Sequence, residues 1–363
     1  MRKNIYLIFI VSIILNSCAT YVKVNMMMPA EIGLGDLKNL AVIDDEFVGN
    51  WTFDRKDEPE TITEIIKEGL KQSLDIPLEN NVKPDPINAF PIKNVSTKLI
   101  AKLVENGHYN ILERDMLDRI LGEQKLSMSG IVSGNNTLQI GELLGVECLM
   151  IVGGNYSVDD DGGWYQRKNK DGVVYKFYRI NRKVNVSITY KVVSIETGEI
   201  LASKENSSKR TKYVDRKDEK TALEQIPEWK PIVNKLVDKI IKKSIKQIAP
   251  YYKKTSKMIK SGKSIGMKTG LQYAKRNLWE DAKESWEQVL DDASPNSIND
   301  RILAMYNLGV YHEINDELDK AKEIFDNCYK QSGKNEYLDA RLRIEKRKKE
   351  LEKLKEQEVD NPS

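Results

Sequence analysis

Between Val174 and Val192 polar and apolar residues alternate almost without a break. Ile180, Val184, Val186, Ile188, Tyr190 and Val192 hold the even positions; Arg179, Asn181, Lys183, Asn185, Ser187, Thr189 and Lys191 hold the odd ones. Strand side chains point alternately to opposite faces, so the pattern predicts a long strand with one buried and one wet face. Arg182 interrupts the apolar set, as a bulge or the end of burial would. Ile195–Glu199 reads as a hairpin turn and Ile200–Ser203 as the start of a return strand, which makes an antiparallel edge unit. Upstream, Leu40–Ile43, Tyr109–Leu112 and Val146–Val152 read as strands. Val95–Val104 has helical spacing (Val95, Leu99, Ile100, Leu103, Val104), as does Thr61–Leu74; Met116–Gln124 and Thr137–Leu144 read as shorter helices. Three prolines make 76–91 a loop, and 19–38 lacks a period and reads as a tether. Strands interleaved with helices predict an α/β or α+β domain with helices packed on a mixed sheet.

The C-terminal third changes period. Gly270, Tyr273, Ala282, Trp286 and Val289 recur as Gly309, His312, Ala321, Phe325 and Cys328, each pair 39 residues apart. Small residues where helices cross and a ring between them give a helical hairpin repeat. The offsets resemble the tetratricopeptide pattern, whose usual period is about 34; the extra residues fall at Asp291–Asn296. Two repeats are fewer than the three that usually stack stably, so Ile232–Ile248 and Tyr337–Gln357 are expected to cap them. The run Arg341–Glu358 is almost wholly charged and reads as a solvated capping helix fraying into Asp360–Ser363.

At the other end, Arg2 and Lys3 precede an apolar run, Ile5–Leu15, that is too short for the roughly twenty residues of a membrane-spanning helix. A basic start, a short apolar stretch and small residues before the cut describe a secretory signal. Leu15-Asn16-Ser17-Cys18 resembles the lipobox of bacterial lipoproteins. The resemblance implies that Cys18 is acylated and becomes the first residue of the mature chain, contacting the membrane. Thr20, two positions on, is not the aspartate of inner-membrane retention. A cell-envelope location is therefore expected, at the outer membrane facing the periplasm.

Composition then removes function classes. Without Arg2 and Lys3 the formal charge falls from +3 to +1, which gives no electrostatic case for nucleic acid. Cys148 and Cys328 read as separately buried thiols. His108 and His312 are the only histidines; neither has a metal-ligand neighbour, and His312 sits at a repeat packing position. No nucleophile–base or phosphate-loop motif is present. Asp159-Asp160-Asp161-Gly162 lacks the spacing of a calcium loop and reads as a solvated loop. Trp164 and Tyr165 beside it are candidate partner-binding residues on that loop. No catalytic residue, metal or cofactor is expected.

Gly107-His108-Tyr109-Asn110-Ile111-Leu112-Glu113-Arg114-Asp115, then Ile120-Leu121, Glu123-Gln124, Ser129-Gly130, Leu144-Gly145-Val146 and Thr197-Gly198-Glu199-Ile200-Leu201, are similar to the CsgG-like family of curli-secretion and envelope lipoproteins. The resemblance covers 40–204 and implies an α/β domain. Some members of that family donate two β-hairpins to a membrane pore. Here the corresponding stretches, 153–177 and the residues after Ser203, carry many charges, and a mid-bilayer Lys or Arg costs roughly 2–4 kcal/mol. The expected organisation is a signal peptide (1–17), tether (18–38), CsgG-like domain (39–225), connecting helix (226–262), tetratricopeptide-like repeats (263–335) and charged capping helix with tail (336–363). The expected function is a non-enzymatic, lipid-anchored scaffold whose helical repeats hold a protein or peptide partner. The alternative is an oligomeric ring component of a secretion or assembly system without its own barrel.

Overall fold

The computed structural model describes residues 20–55, 95–112, 145–291 and 298–358. The signal peptide, Cys18, the helices expected at 61–74, 116–124 and 137–144, the loop at 76–91, most of the inter-repeat insertion and the tail lie outside them. The described chain forms two compact units, residues 30–249 and residues 20–29 with 250–358. The first is an α+β unit and the second is mainly helical.

In the α+β unit a mixed sheet has the order β3-β2-β4-β5-β6. Its strands are β2 (Asn39–Arg55), β3 (Asn110–Ile111), β4 (Cys148–Lys168), β5 (Val174–Ser194) and β6 (Ile200–Arg216). β2 runs parallel to β3 and β4, while β4, β5 and β6 form an antiparallel meander. The alternation read in β5 is the observed one: Ile180, Val184, Val186, Ile188, Tyr190 and Val192 are all buried. On this face pack α1 (Val95–Asn106) and α3 (Trp229–Ile248), with the short α2 (Glu219–Gln225) nearer the far end of the sheet. α3 buries Ile232, Val233, Leu236, Val237, Ile240, Ile241, Ile245 and Ile248, the 3–4 spacing of one helical stripe. A buried polar cluster fixes its register. The Asn206 amide donates to Gln247 Oε1 (2.7 Å) and Ser244 Oγ (3.1 Å), and the Tyr190 hydroxyl donates to Gln247 Oε1 (3.0 Å).

Two expectations fail in this sheet. β4 does not end at Val152 but continues to Lys168, through the three aspartates expected in a loop. Arg182 marks no bulge: it lies directly across from Asp160 with the inward set. Its guanidinium donates to both Asp160 oxygens (2.8 and 2.6 Å), and the Trp51 indole donates to the same carboxylate (2.9 Å). A buried charge is tolerated when paired and hydrogen-bonded, so a complementary pair keeps both strands in register. At the outer side, β6 carries Lys204, Lys209, Arg210 and Lys212, charges that discourage edge-to-edge pairing.

The second unit holds five helices among the described residues: α4 (Ile265–Lys275), α5 (Trp279–Asp291), α6 (Ile298–Ile314), α7 (Leu318–Ser332) and α8 (Asn335–Glu358). The repeat read in the sequence is a packing repeat. A methyl group at Gly270 would sit 2.3 Å from the Trp286 indole nitrogen, and one at Gly309 would sit 2.6 Å from the Phe325 ring. Ala282, Ala321, Val289 and Cys328 are buried beside them. The turns repeat too: Asn277 (φ 60°) and Asp316 (φ 56°) both adopt the left-handed region and lie 39 residues apart.

This unit also contains a ribbon absent from the sequence reading. β1 (Thr20–Met28) pairs antiparallel with β7 (Tyr251–Ile259), from Thr20 opposite Ile259 to Met28 opposite Tyr251. The expected tether therefore contains a nine-residue strand, and the expected connecting helix stops at Ile248 before a second strand. The reason is a period-two pattern: Val22, Val24 and Met26 face inward, while Tyr21, Lys23 and Asn25 face out.

Candidate interaction surface

β4 and β5 extend as a hairpin well past the part covered by α3, and residues 166–176 are exposed. Cross-strand partners share a face. On one face lie Tyr165 opposite Phe177, Arg167 opposite Tyr175, and Gly163 opposite Arg179; β6 adds Asp215 opposite Arg179 and Tyr213 opposite Asn181. Tyr165 stacks on Phe177 with ring centroids 6.0 Å apart. The Arg179 guanidinium stands 4.9 Å from the Tyr213 ring, 5.4 Å from Phe177 and 5.5 Å from Tyr165. The Arg167 guanidinium also lies over the Phe177 ring, at 5.3 Å.

Asp215 holds this arrangement. Its carboxylate accepts Arg179 Nε (2.6 Å) and Nη2 (2.7 Å), a two-point contact that fixes the guanidinium plane over the rings. These hydrogen bonds keep the Asp215 carboxyl below the usual carboxylate range. The Arg179 charge is thereby matched, and Arg167 remains as the more exposed cation. Tyr213 (64% exposed), Tyr175 and Tyr165 are exposed on this face. Tyrosine and arginine anchors of this kind are enriched in protein interfaces; no nucleophile–base pair accompanies them.

The two predicted residues part company here. Both lie in β4 rather than in a loop, and neighbours on a strand cannot share a face. Trp164 points to the covered side and packs edge-on against Tyr178 (5.4 Å), beside Ile180, Val214, Ala222 and Ile226. Tyr165 alone belongs to the outward face. Tyr175, Phe177, Arg179, Tyr213 and Asp215 were missed, although Tyr175 and Phe177 continue the odd positions of β5. The same alternation divides the aspartates. Asp160 is committed to Arg182, whereas Asp159 accepts from Thr52 (3.0 Å) and Asn185 (3.2 Å), and Asp161 from Asn181 (2.8 Å).

In the helical unit, α6 and α8 pack on the ribbon. Asn307, fully buried on α6, brackets the backbone of Lys260: Lys260 N donates to Oδ1 (2.8 Å) and Asn307 Nδ2 donates to Lys260 O (2.9 Å). Buried Glu313 accepts from Lys257 (2.5 Å) and from both Arg343 nitrogens (2.8 Å each). Its carboxyl is held below the ordinary range, the two cations outweighing the opposing effect of burial. Arg347 donates to Met27 O (2.6 Å) and to Asp316 (2.9 and 3.1 Å). His312 is half-buried against Glu317, and Cys148 and Cys328 are buried free thiols.

Residues 87–262 match the family described as the curli production assembly/transport component CsgG, and residues 268–354 match a domain of unknown function, DUF6340. No curated protein sequence matches. Among solved structures, the chain is similar to the LpoB C-terminal domain from Salmonella enterica (10% identity, 48% of this chain and 84% of that one, TM-score 0.22). It is also similar to a lipoprotein from Neisseria meningitidis (8% identity, 56% and 99% covered, TM-score 0.24). A third is the PelC dodecamer from Paraburkholderia phytofirmans (9% identity, 61% and 96% covered, TM-score 0.21).

Proposed function

We propose that this chain is a lipid-anchored lipoprotein of the bacterial cell envelope, acting without catalysis as a binding or assembly scaffold. The match of residues 87–262 to an assembly and transport component carries the reading. The Leu15–Cys18 signal supports the anchor. The helical unit is on this reading a tetratricopeptide-like module, supported by the 39-residue packing repeat, and its α6 packs on the ribbon. The protein partner then docks on the outward face of β4–β6, at exposed Tyr165, Tyr175 and Tyr213. A photo-crosslinking residue placed at Tyr213 in cells should trap a partner, and Tyr165→Ala should weaken the trap. A crosslinker at Met305, in the apolar groove of the helical unit lined by Leu290, Ile298 and Leu308, serves as the comparison. Capture at Met305 with none at Tyr213 would return the partner to the repeats and refute the assignment to the hairpin.

A further inference from the structure

One groove in the helical unit has a chemistry that neither repeat packing nor the ribbon uses. It has a volume of about 460 Å³ and is lined by Lys23, Asn25 and Lys254 of the ribbon, Asn277 and Trp279 of the α4–α5 turn, and Asn315 after α6. Two cations and three side-chain amides converge on it, and no carboxylate lines it. Among the described residues neither Lys23 nor Lys254 has a carboxylate within ion-pair distance. Asn25 and Lys254 are register partners, so the two lysines stand on the same outward face of the ribbon. Their position in the chain matters as much as their charge. β1 begins at Thr20, two residues after Cys18, a reach of about 7 Å at full extension. Lys23 is five residues from Cys18, at most about 18 Å. Acylation at Cys18 would keep Lys23 within about 18 Å of the anchored residue.

We propose that this groove binds the phosphodiester headgroup of an anionic membrane lipid next to the acylated N-terminus, a proposal that rests on the reading of Cys18 as the acylated residue. Lys23 and Lys254 supply point charges to the phosphate, which lysine serves without a fixed geometry. The amides of Asn25, Asn277 and Asn315 supply neutral hydrogen bonds to phosphate or glycerol oxygens. Trp279, half-buried at the rim, suits the headgroup level where indole rings concentrate.

The full-length protein, purified from membranes in neutral detergent, is exposed separately to phosphatidylglycerol and phosphatidylcholine, and adducts are counted by native mass spectrometry. The expected result is one phosphatidylglycerol adduct favoured about tenfold or more over phosphatidylcholine, and lost in Lys23→Glu/Lys254→Glu. Lys239→Glu/Lys243→Glu on α3 changes the net charge equally and should keep the adduct. Equal adducts with both lipids, retention in the Lys23/Lys254 variant, or equal loss in the α3 variant would overturn the site. Displacement by millimolar inorganic phosphate would overturn the lipid as its source. The intact mass reports acylation separately, and an unmodified Cys18 would overturn the membrane placement whatever the adducts show.

Discussion

Asn307 offers the most direct test of how the helical unit holds its ribbon. In Asn307→Ala the Lys260 N–H and C=O lose their only bracket, at distances of 2.8 and 2.9 Å, in a residue that is 5% exposed. A buried backbone group left without a partner costs about 1–3 kcal/mol, so the pair should cost about 2–4 kcal/mol. For a unit of this size the lower figure corresponds to roughly 8 °C or more in melting temperature. Asn307→Asp keeps an acceptor for the Lys260 N–H but loses the donor to its carbonyl and buries a charge, so it should be at least as damaging. Thermal unfolding gives the global term, and hydrogen exchange over residues 250–262 gives the local one. The local signature is the sharper: exchange in β7 should accelerate before α6 and α7 lose protection. A melting temperature within 1 °C of the parent, with β7 exchange unchanged, would refute the claim that this amide fastens the strand.

Asp160→Asn should leave Arg182 buried without its counter-charge and cost about 3–5 kcal/mol by denaturant unfolding, whereas Asp160→Leu/Arg182→Met should recover much of the loss; a cost under 1 kcal/mol for the single change would contradict the pairing. Burial pushes the thiols of Cys148 and Cys328 up to about 12, so neither should alkylate at pH 8 until denaturant is added, because the thiolate is the reactive form. Burial first, and Lys38 second, lower the pKa of His108 to about 4. Between its unfolded value near 6.5 and about 4 the unfolded chain binds a proton the folded one does not, so this group lowers stability as pH falls through that window and has no effect above it. An NMR titration of His108 with a midpoint near 6.5 would exclude this contribution.

Periodicity reported the parts of the fold where one pattern persists. β5 could be read because its buried face is continuous, and the α4–α7 hairpins because glycine opposite a large ring leaves no substitute. Charge misled where it was paired. Asp159–Asp161 and Arg182 looked wet when read one strand at a time, since the pairing that tolerates Asp160 and Arg182 inside is formed only across the sheet. The ribbon was missed because Met26–Met28 hid the alternation of Tyr21 to Met26 and because its partner strand lies more than 200 residues away. Tyr165 was legible as an aromatic near a charged stretch. Its companions were not, because Phe177, Arg179 and Tyr213 come from other strands and meet only through register.

The ribbon also sets how the protein would bear a load. Its nine registered pairs run from Thr20 opposite Ile259 to Met28 opposite Tyr251. Residues 30–249 are inserted at the Met28–Tyr251 end, whereas Thr20 and the Asn307 clamp on Lys260 lie at the other. A pull between the N-terminus and the helices would open the ribbon as a zipper, breaking one pair at a time at low force. A pull between the N-terminus and the inserted unit would instead run along the backbone of β1 through Met28 and Pro29, and leave the nine pairs unloaded. The ribbon thus yields to the first pull and is bypassed by the second.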